Sequence, residues 1–373
     1  MKILLTAKQR GSTNVLAPVA RELSQCGHDL TIYATGNETE VAGFQGLEYQ
    51  HIHPQDEDYS HLVRRGGYHA VIIGLSGYDT PDGHFLRAAN SAGIPTLAVQ
   101  DQNSNYQKRL GNNPKDLPTL LAIMSADCIT TAKTELGGEM GEEAAKISRV
   151  VGWPAFDHYA KMREEFTIEN RIKLLTDCRI NPENEVYVHF TQTIHPYSAY
   201  IARINTPYEQ KVKEFLYEQG VVQFTFETAS DLGLKLVVKP HPGEEYNINY
   251  TKELVHRHNF IFIPPRACNT QQLMLAAYSV TAGRSTCLTE ATLLDKNTGG
   301  IVPDMSEEWI NLFPPMALGA IPYTQTWNGI TEVLKQVTST NENIIKKSAE
   351  NRKKFFVDGS ASKRVADLIE SLQ

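Results

Sequence analysis

The segment YSVTAGRSTCLTEATLLDK carries the densest set of chemistry-bearing side chains in this 373-residue chain. An apolar run ends at Ala282, Gly283 permits a tight turn, and Ser285 and Thr286 open an expected helix. Hydroxyls at a helix start cap its unpaired amides. Those amides, with the positive end of the dipole, attract an anion such as phosphate. Glu290 lies one turn further on, on the same face, where it can accept hydrogen bonds from a vicinal diol, and Arg284 adds a cation. A plain capped helix with a solvated glutamate is the competing reading of the same residues.

A second group lies in LVVKPHPGE, where Lys239, His241 and Glu244 surround the exit of a strand-like run. The proline after His241 holds the imidazole in one direction, suited to touching a phosphate or protonating a leaving oxygen. Other candidates also follow strand-like runs. Gly11 and Ser12 come after MKILLTA, Asp79 after AVIIGLS, Asp101 after TLAVQ, and Thr191 and His195 after EVYVHF. The two aspartates are candidate bases, although each also fits a turn or helix cap.

These runs alternate with helix patterns from the first residue. MKILLTA, DLTIYAT, YHAVIIGLS, IPTLAVQ, DCITTA and ISRVVGWP read as strands. VLAPVARELSQCG, DGHFLRAANSAG and DLPTLLAIMSA read as helices, with KQRGSTN as a loop. Continuous apolar strands between helices predict a doubly wound parallel sheet. The alternation pauses from Phe156 to Asn184 and restarts with EVYVHFTQ. The expected organisation is an N-terminal Rossmann-like domain over 1–160, a connection over 161–184 and a C-terminal domain over 185–345. A closing helical segment over 346–373 is expected to pack back on the first domain. Ligands of such sheets bind outside the carboxyl ends of the strands, here in the cleft expected between the domains.

The stretch from Tyr278 to Pro303 resembles the nucleotide-sugar motif of GT-B glycosyltransferases, in particular the N-acetylglucosaminyl transferase of peptidoglycan synthesis. That resemblance implies that Ser285 and Thr286 contact phosphate and that Glu290 contacts ribose. His241-Pro242 followed by Ser285-Thr286 resembles the motif pair of bacterial sialyl-, polysialyl-, Kdo and CDP-glycerol transferases, in which both elements hold a nucleotide phosphate. KILLTAKQRGSTNVLAPVARELSQCGHDL is similar to the first βαβ unit of GT-B enzymes, with Ser12 where the peptidoglycan enzyme has a histidine. VVGWPAFDHY and FFVDGSASKRVADLIESL resemble segments of the hydrolysing UDP-N-acetylglucosamine 2-epimerases. Asp79 aligns with an aspartate of those enzymes, but Gln100 stands where they carry a glutamate.

The resemblance implies a GT-B α/β fold and an inverting, metal-independent glycosyltransferase that uses no cofactor. The donor is expected to be a UDP-sugar first, a CMP- or CDP-linked sugar second. The acceptor is left as a glycan, a lipid-linked glycan or a small molecule, and an oligomer stays open. An epimerase-like enzyme and a non-catalytic nucleotide-binding protein are the alternatives. Composition sets outer bounds. A net charge of -7 argues against a nucleic-acid partner, and no run of about 18 apolar residues is present to span a membrane. Five scattered cysteines without CxxC spacing read as reduced thiols of a cytoplasmic protein.

Overall fold

A computed structural model describes residues 1–37, 41–52, 58–102, 105–191, 208–241, 248–283, 285–310, 313–355 and 357–372, with 208–218 and 308–309 described by their backbone alone. The chain divides into two compact units, Met1–His158 with Val357–Gln373, and Tyr159–Phe356.

The first unit holds seven parallel strands: β1 (Lys2–Ala7), β2 (Asp29–Ala34), β3 (Gln50–His51), β4 (Ala70–Gly74), β5 (Thr96–Val99), β6 (Leu120–Ile123) and β7 (Ser148–Val150). Their order is β3-β2-β1-β4-β5-β6-β7. Winding starts at β1, proceeds to one edge, and returns past β1 to the other, so the connections reverse between β1 and β4. Because strand side chains alternate, Ile3 and Leu5 pack on one face with helices Arg10–Gln25 and Ala361–Glu370. Leu4, Val71 and Ile73 pack on the other with helices Pro81–Ser91 and Ala126–Leu136. The C-terminal helix is anchored by Asp157, whose carboxylate accepts from the amides of Ala361 and Ser362 at 3.0 and 2.7 Å.

The second unit holds β8 (Tyr187–Phe190), β9 (Leu236–Lys239), β10 (Ile261–Phe262), β11 (Ser279–Ala282), β12 (Asn297–Ile301) and β13 (Tyr323–Thr324). The order is β10-β9-β8-β11-β12-β13, again all parallel, with the reversal between β8 and β11. Leu236 and Val238 pack against Val222, Phe226 and Ala229 of helix Tyr208–Asp231 and against Ile330 and Leu334.

Three sequence-based expectations are corrected. DLPTLLAIMSA contains strand β6 rather than a helix, and DCITTA belongs to helix Ala126–Leu136 rather than a strand. A four-residue buried run such as LLAI has no period to reveal which it is. In the helix, Cys128 and Ala132 bury one face while the β-branched Thr130 and Thr131 stay outside it. Finally, KQRGSTN is not all loop, because the first helix begins at Arg10 and takes in Gly11 and Ser12.

Candidate functional site

In the second unit the sequence-predicted residues gather at the carboxyl edge of adjoining strands. Thr191 leaves β8, His241 follows β9 by two residues, and Gly283-Ser285-Thr286 leave β11. β9, β8 and β11 are neighbours, and β8 and β11 flank the reversal point, where a doubly wound sheet opens a crevice for ligands. Thr191 and Ser285 are buried, while Thr286 and His241 are exposed. His195, Arg284, Pro242 and Glu244 lie outside the described residues.

The turn after β11 is tight. The Ser285 amide donates to the Gly283 carbonyl at 2.9 Å and the Cys287 amide to Ser285 Oγ at 3.2 Å. The Leu288 amide donates to the Ser285 carbonyl at 3.1 Å. Helix Cys287–Leu293 is only seven residues long, so it develops little dipole, and these amides are already engaged. What the turn offers a phosphate is its hydroxyls: Ser285 Oγ accepts one bond and still has its own hydrogen to donate.

Glu290 is held from two sides. Gln271 Nε2, from helix Thr270–Ala276, donates to Glu290 Oε2 at 3.1 Å. The Tyr159 hydroxyl, from helix Asp157–Glu165, bonds the same carboxylate. Tyr159 is buried, and its pKa is pushed up first by burial and then by the charge of Glu290. Lys239 points inward instead: its ammonium donates to the Pro265 carbonyl, and burial lowers its pKa. On the neighbouring strand, His189 bonds Thr281 Oγ1 at 3.0 Å through Nδ1, at a register where β8 and β11 pair. Burial lowers its pKa to about 4, so the imidazole is neutral at physiological pH.

In the first unit the corresponding reversal point is bridged by hydroxyls. Ser12 Oγ lies 2.8 Å from Ser76 Oγ, joining the helix after β1 to the loop after β4. Gly74 makes this approach possible, since a β-carbon there would overlap the Ser12 side chain. Beneath the pair, Thr6 Oγ1 donates to Asp82 Oδ1 at 3.1 Å, while Asp82 Oδ2 has no hydrogen-bond partner of ordinary geometry. Burial pushes the Asp82 carboxyl up to about 6, with Ser76 and Thr6 pulling it back. Asp101, after β5, forms a buried ion pair with Arg109, which also donates to the Leu75 carbonyl and, at 3.0 Å, to Gln102 Oε1. Burial raises the Asp101 carboxyl, and Arg109 offsets this only in part. Asp79 lies exposed in the turn before helix Pro81–Ser91.

Comparison with solved structures places this architecture. Acinetobacter baumannii MurG superposes over 100% of both chains with a TM-score of 0.60 at 13% identity. A putative UDP-N-acetylglucosamine 2-epimerase from Listeria monocytogenes covers 99% of this chain and 96% of its own, with a TM-score of 0.62 at 12% identity. The Methanocaldococcus jannaschii UDP-GlcNAc 2-epimerase in complex with UDP-GlcNAc and UDP matches over 100% of both, with a TM-score of 0.54 at 13% identity. The fold is GT-B. No family model and no curated protein matches the chain.

Within the GT-B frame, sequence reasoning missed Ser76, Asp82, Arg109, Tyr159, His189 and Gln271. Only Tyr159 sits in a motif, at the end of VVGWPAFDHY, and nothing there marked it as a partner of Glu290. The signal available for Asp82 and His189 was a polar residue inside or beside an apolar run, and for the others the partner is known only once the chain is folded. Among the described residues, no helix is long and apolar enough to cross a membrane.

Proposed function

We propose that the chain is a glycosyltransferase whose second unit binds the nucleotide of an activated sugar, UDP-linked in first place and CMP- or CDP-linked in second. The observation that carries this reading is the placement of Thr191, Ser285, Thr286 and His241 at the carboxyl ends of β8, β11 and β9, at and beside the reversal point, with the oriented Glu290 one turn beyond. In this reading Ser285, Thr286 and His241 contact the phosphate and Glu290 contacts the ribose. The neighbour solved with UDP-GlcNAc and UDP supports uracil as the base.

Transfer to an acceptor hydroxyl forms a new bond at the sugar's anomeric carbon while the bond to the nucleotide phosphate breaks. The acceptor proton must go to a base, and the leaving phosphate must be stabilised. We assign the base to Asp101, because burial raises its proton affinity toward the range a general base needs, whereas Asp79 is an exposed turn carboxylate. His241 stabilises the departing phosphate. Gln100 favours transfer over epimerisation. Where the resemblance to the 2-epimerases places a glutamate, this amide donates to Gln102 O and Tyr106 Oη and accepts from the Met124 amide. An amide in that position exchanges no proton.

The test is to incubate the purified chain with UDP-, CMP- and CDP-sugars, with and without a mixture of glycan and lipid-linked acceptors, and follow released nucleotide. Acceptor-dependent release supports transfer. Acceptor-independent release with inversion at the sugar C2 would replace it with epimerisation.

A further inference from the structure

Glu290, Gln271 and Tyr159 come from three separate helices and close a triangle of hydrogen bonds. The Gln271 amide nitrogen has two hydrogens. One goes to Glu290 Oε2 at 3.1 Å, the other toward the Tyr159 hydroxyl at 3.4 Å. The Tyr159 hydroxyl bonds the Glu290 carboxylate in turn. Two donors on one carboxylate fix both its charge and its orientation. The Tyr159 ring is 5% exposed, so its hydroxyl cannot swing out to solvent. A carboxylate that reads a vicinal diol needs such fixing, because its selectivity depends on presenting both oxygens at a set angle. A freely rotating glutamate would lose the advantage to side-chain entropy.

We propose that Gln271 and Tyr159 are positioning residues that seat the Glu290 carboxylate and thereby set the preference of the nucleotide site for ribose over 2′-deoxyribose. The proposal rests on the reading of the second unit as the nucleotide-binding one. Neither residue touches the sugar; each acts through Glu290. A residue that merely stabilised the fold would weaken ribo- and deoxyribonucleotides alike. A seat for the diol reader weakens only the ribonucleotide.

The experiment is calorimetric titration of the full chain with UDP and with 2′-deoxy-UDP, in wild type, Tyr159→Phe and Gln271→Met. Both substitutions keep bulk and remove the donor, and near-isosteric exchange costs little packing. In each variant the Kd for UDP should rise about tenfold while that for 2′-deoxy-UDP changes less than about twofold, so that the preference collapses. A wild type that prefers UDP, with variants that keep the preference, overturns the seat and leaves the function intact. A wild type that binds both nucleotides equally removes the ribose role of Glu290 itself, and one that binds neither removes the nucleotide reading as well.

Discussion

Gly11 and Asp101 lie in contact across the edge of the first sheet, so close that a β-carbon at Gly11 would overlap Asp101 Oδ2. The carboxylate cannot retreat cheaply, because its other oxygen is paired with the buried Arg109. Gly11 sits in the first turn of helix Arg10–Gln25, where alanine is otherwise favoured by about 0.5–1 kcal/mol. Overlap should win. Gly11→Ala should cost about 1–3 kcal/mol in the wild type and become neutral or stabilising in an Asp101→Ala background. Urea unfolding of the four proteins of this cycle decides it, and an equal cost in both backgrounds would show that Asp101 is not what the new methyl meets.

Two buried groups should give opposite pH dependences. The His189 pKa is about 4 against an ordinary 6.5. Its stabilising share is therefore present above about 6.5 and is lost as the pH falls through about 4. Asp82 is raised from 3.8 to about 6, so its share is present below about 3.8 and is lost as the pH rises through about 6. The two slopes oppose each other between about 4 and 6. His189→Gln should therefore be relatively more stable than wild type at pH 4.5 than at pH 7, and Asp82→Asn relatively more stable at pH 7 than at pH 4.5. Each difference is of order 3 kcal/mol at full span. Unfolding curves at the two pH values, variant against wild type, check the signs. Parallel curves would remove the assignment.

His241→Ala should lower turnover about 10²–10³-fold while nucleotide-sugar affinity changes much less, because negative charge on the departing phosphate grows toward the transition state. Measuring kcat alongside the Kd for the donor separates the two. Equal losses in both would make His241 a ground-state contact only.

Much of this architecture was legible because buried parallel strands are continuous apolar runs. KILLTA, AVIIG and LVVK announce themselves, and the residues just after them are where a doubly wound sheet binds ligands. Reading failed where that logic weakens. The run LLAI is as apolar as a helix segment of the same length, and Thr130-Thr131 favours strand locally but lies on a helix whose buried face is set by Cys128 and Ala132. Strands of two residues, such as Gln50–His51 and Tyr323–Thr324, are held by neighbours rather than by their own pattern. Within the candidate site, Thr191, Ser285 and Glu290 were readable from their spacing to strand ends. The partners that orient Glu290 were not, since Gln271 and Tyr159 stand 112 positions apart in the chain and meet only after folding.

The nucleotide-binding role of the second unit turns on whether it takes a uridine nucleotide. Thermal unfolding of the full chain should be followed with UDP, CMP, CDP and GDP, in wild type and in Ser285→Ala and Glu290→Gln. At a hundredfold excess over Kd a bound nucleotide stabilises by about 2.7 kcal/mol. UDP should raise the unfolding temperature most, CMP and CDP less. Both substitutions should reduce the UDP shift, measured from each protein's own ligand-free temperature, since Ser285 Oγ also accepts the Cys287 amide and Glu290 the Gln271 amide. Equal shifts from all four nucleotides, no shift from any, or a UDP shift untouched by either substitution would contradict it.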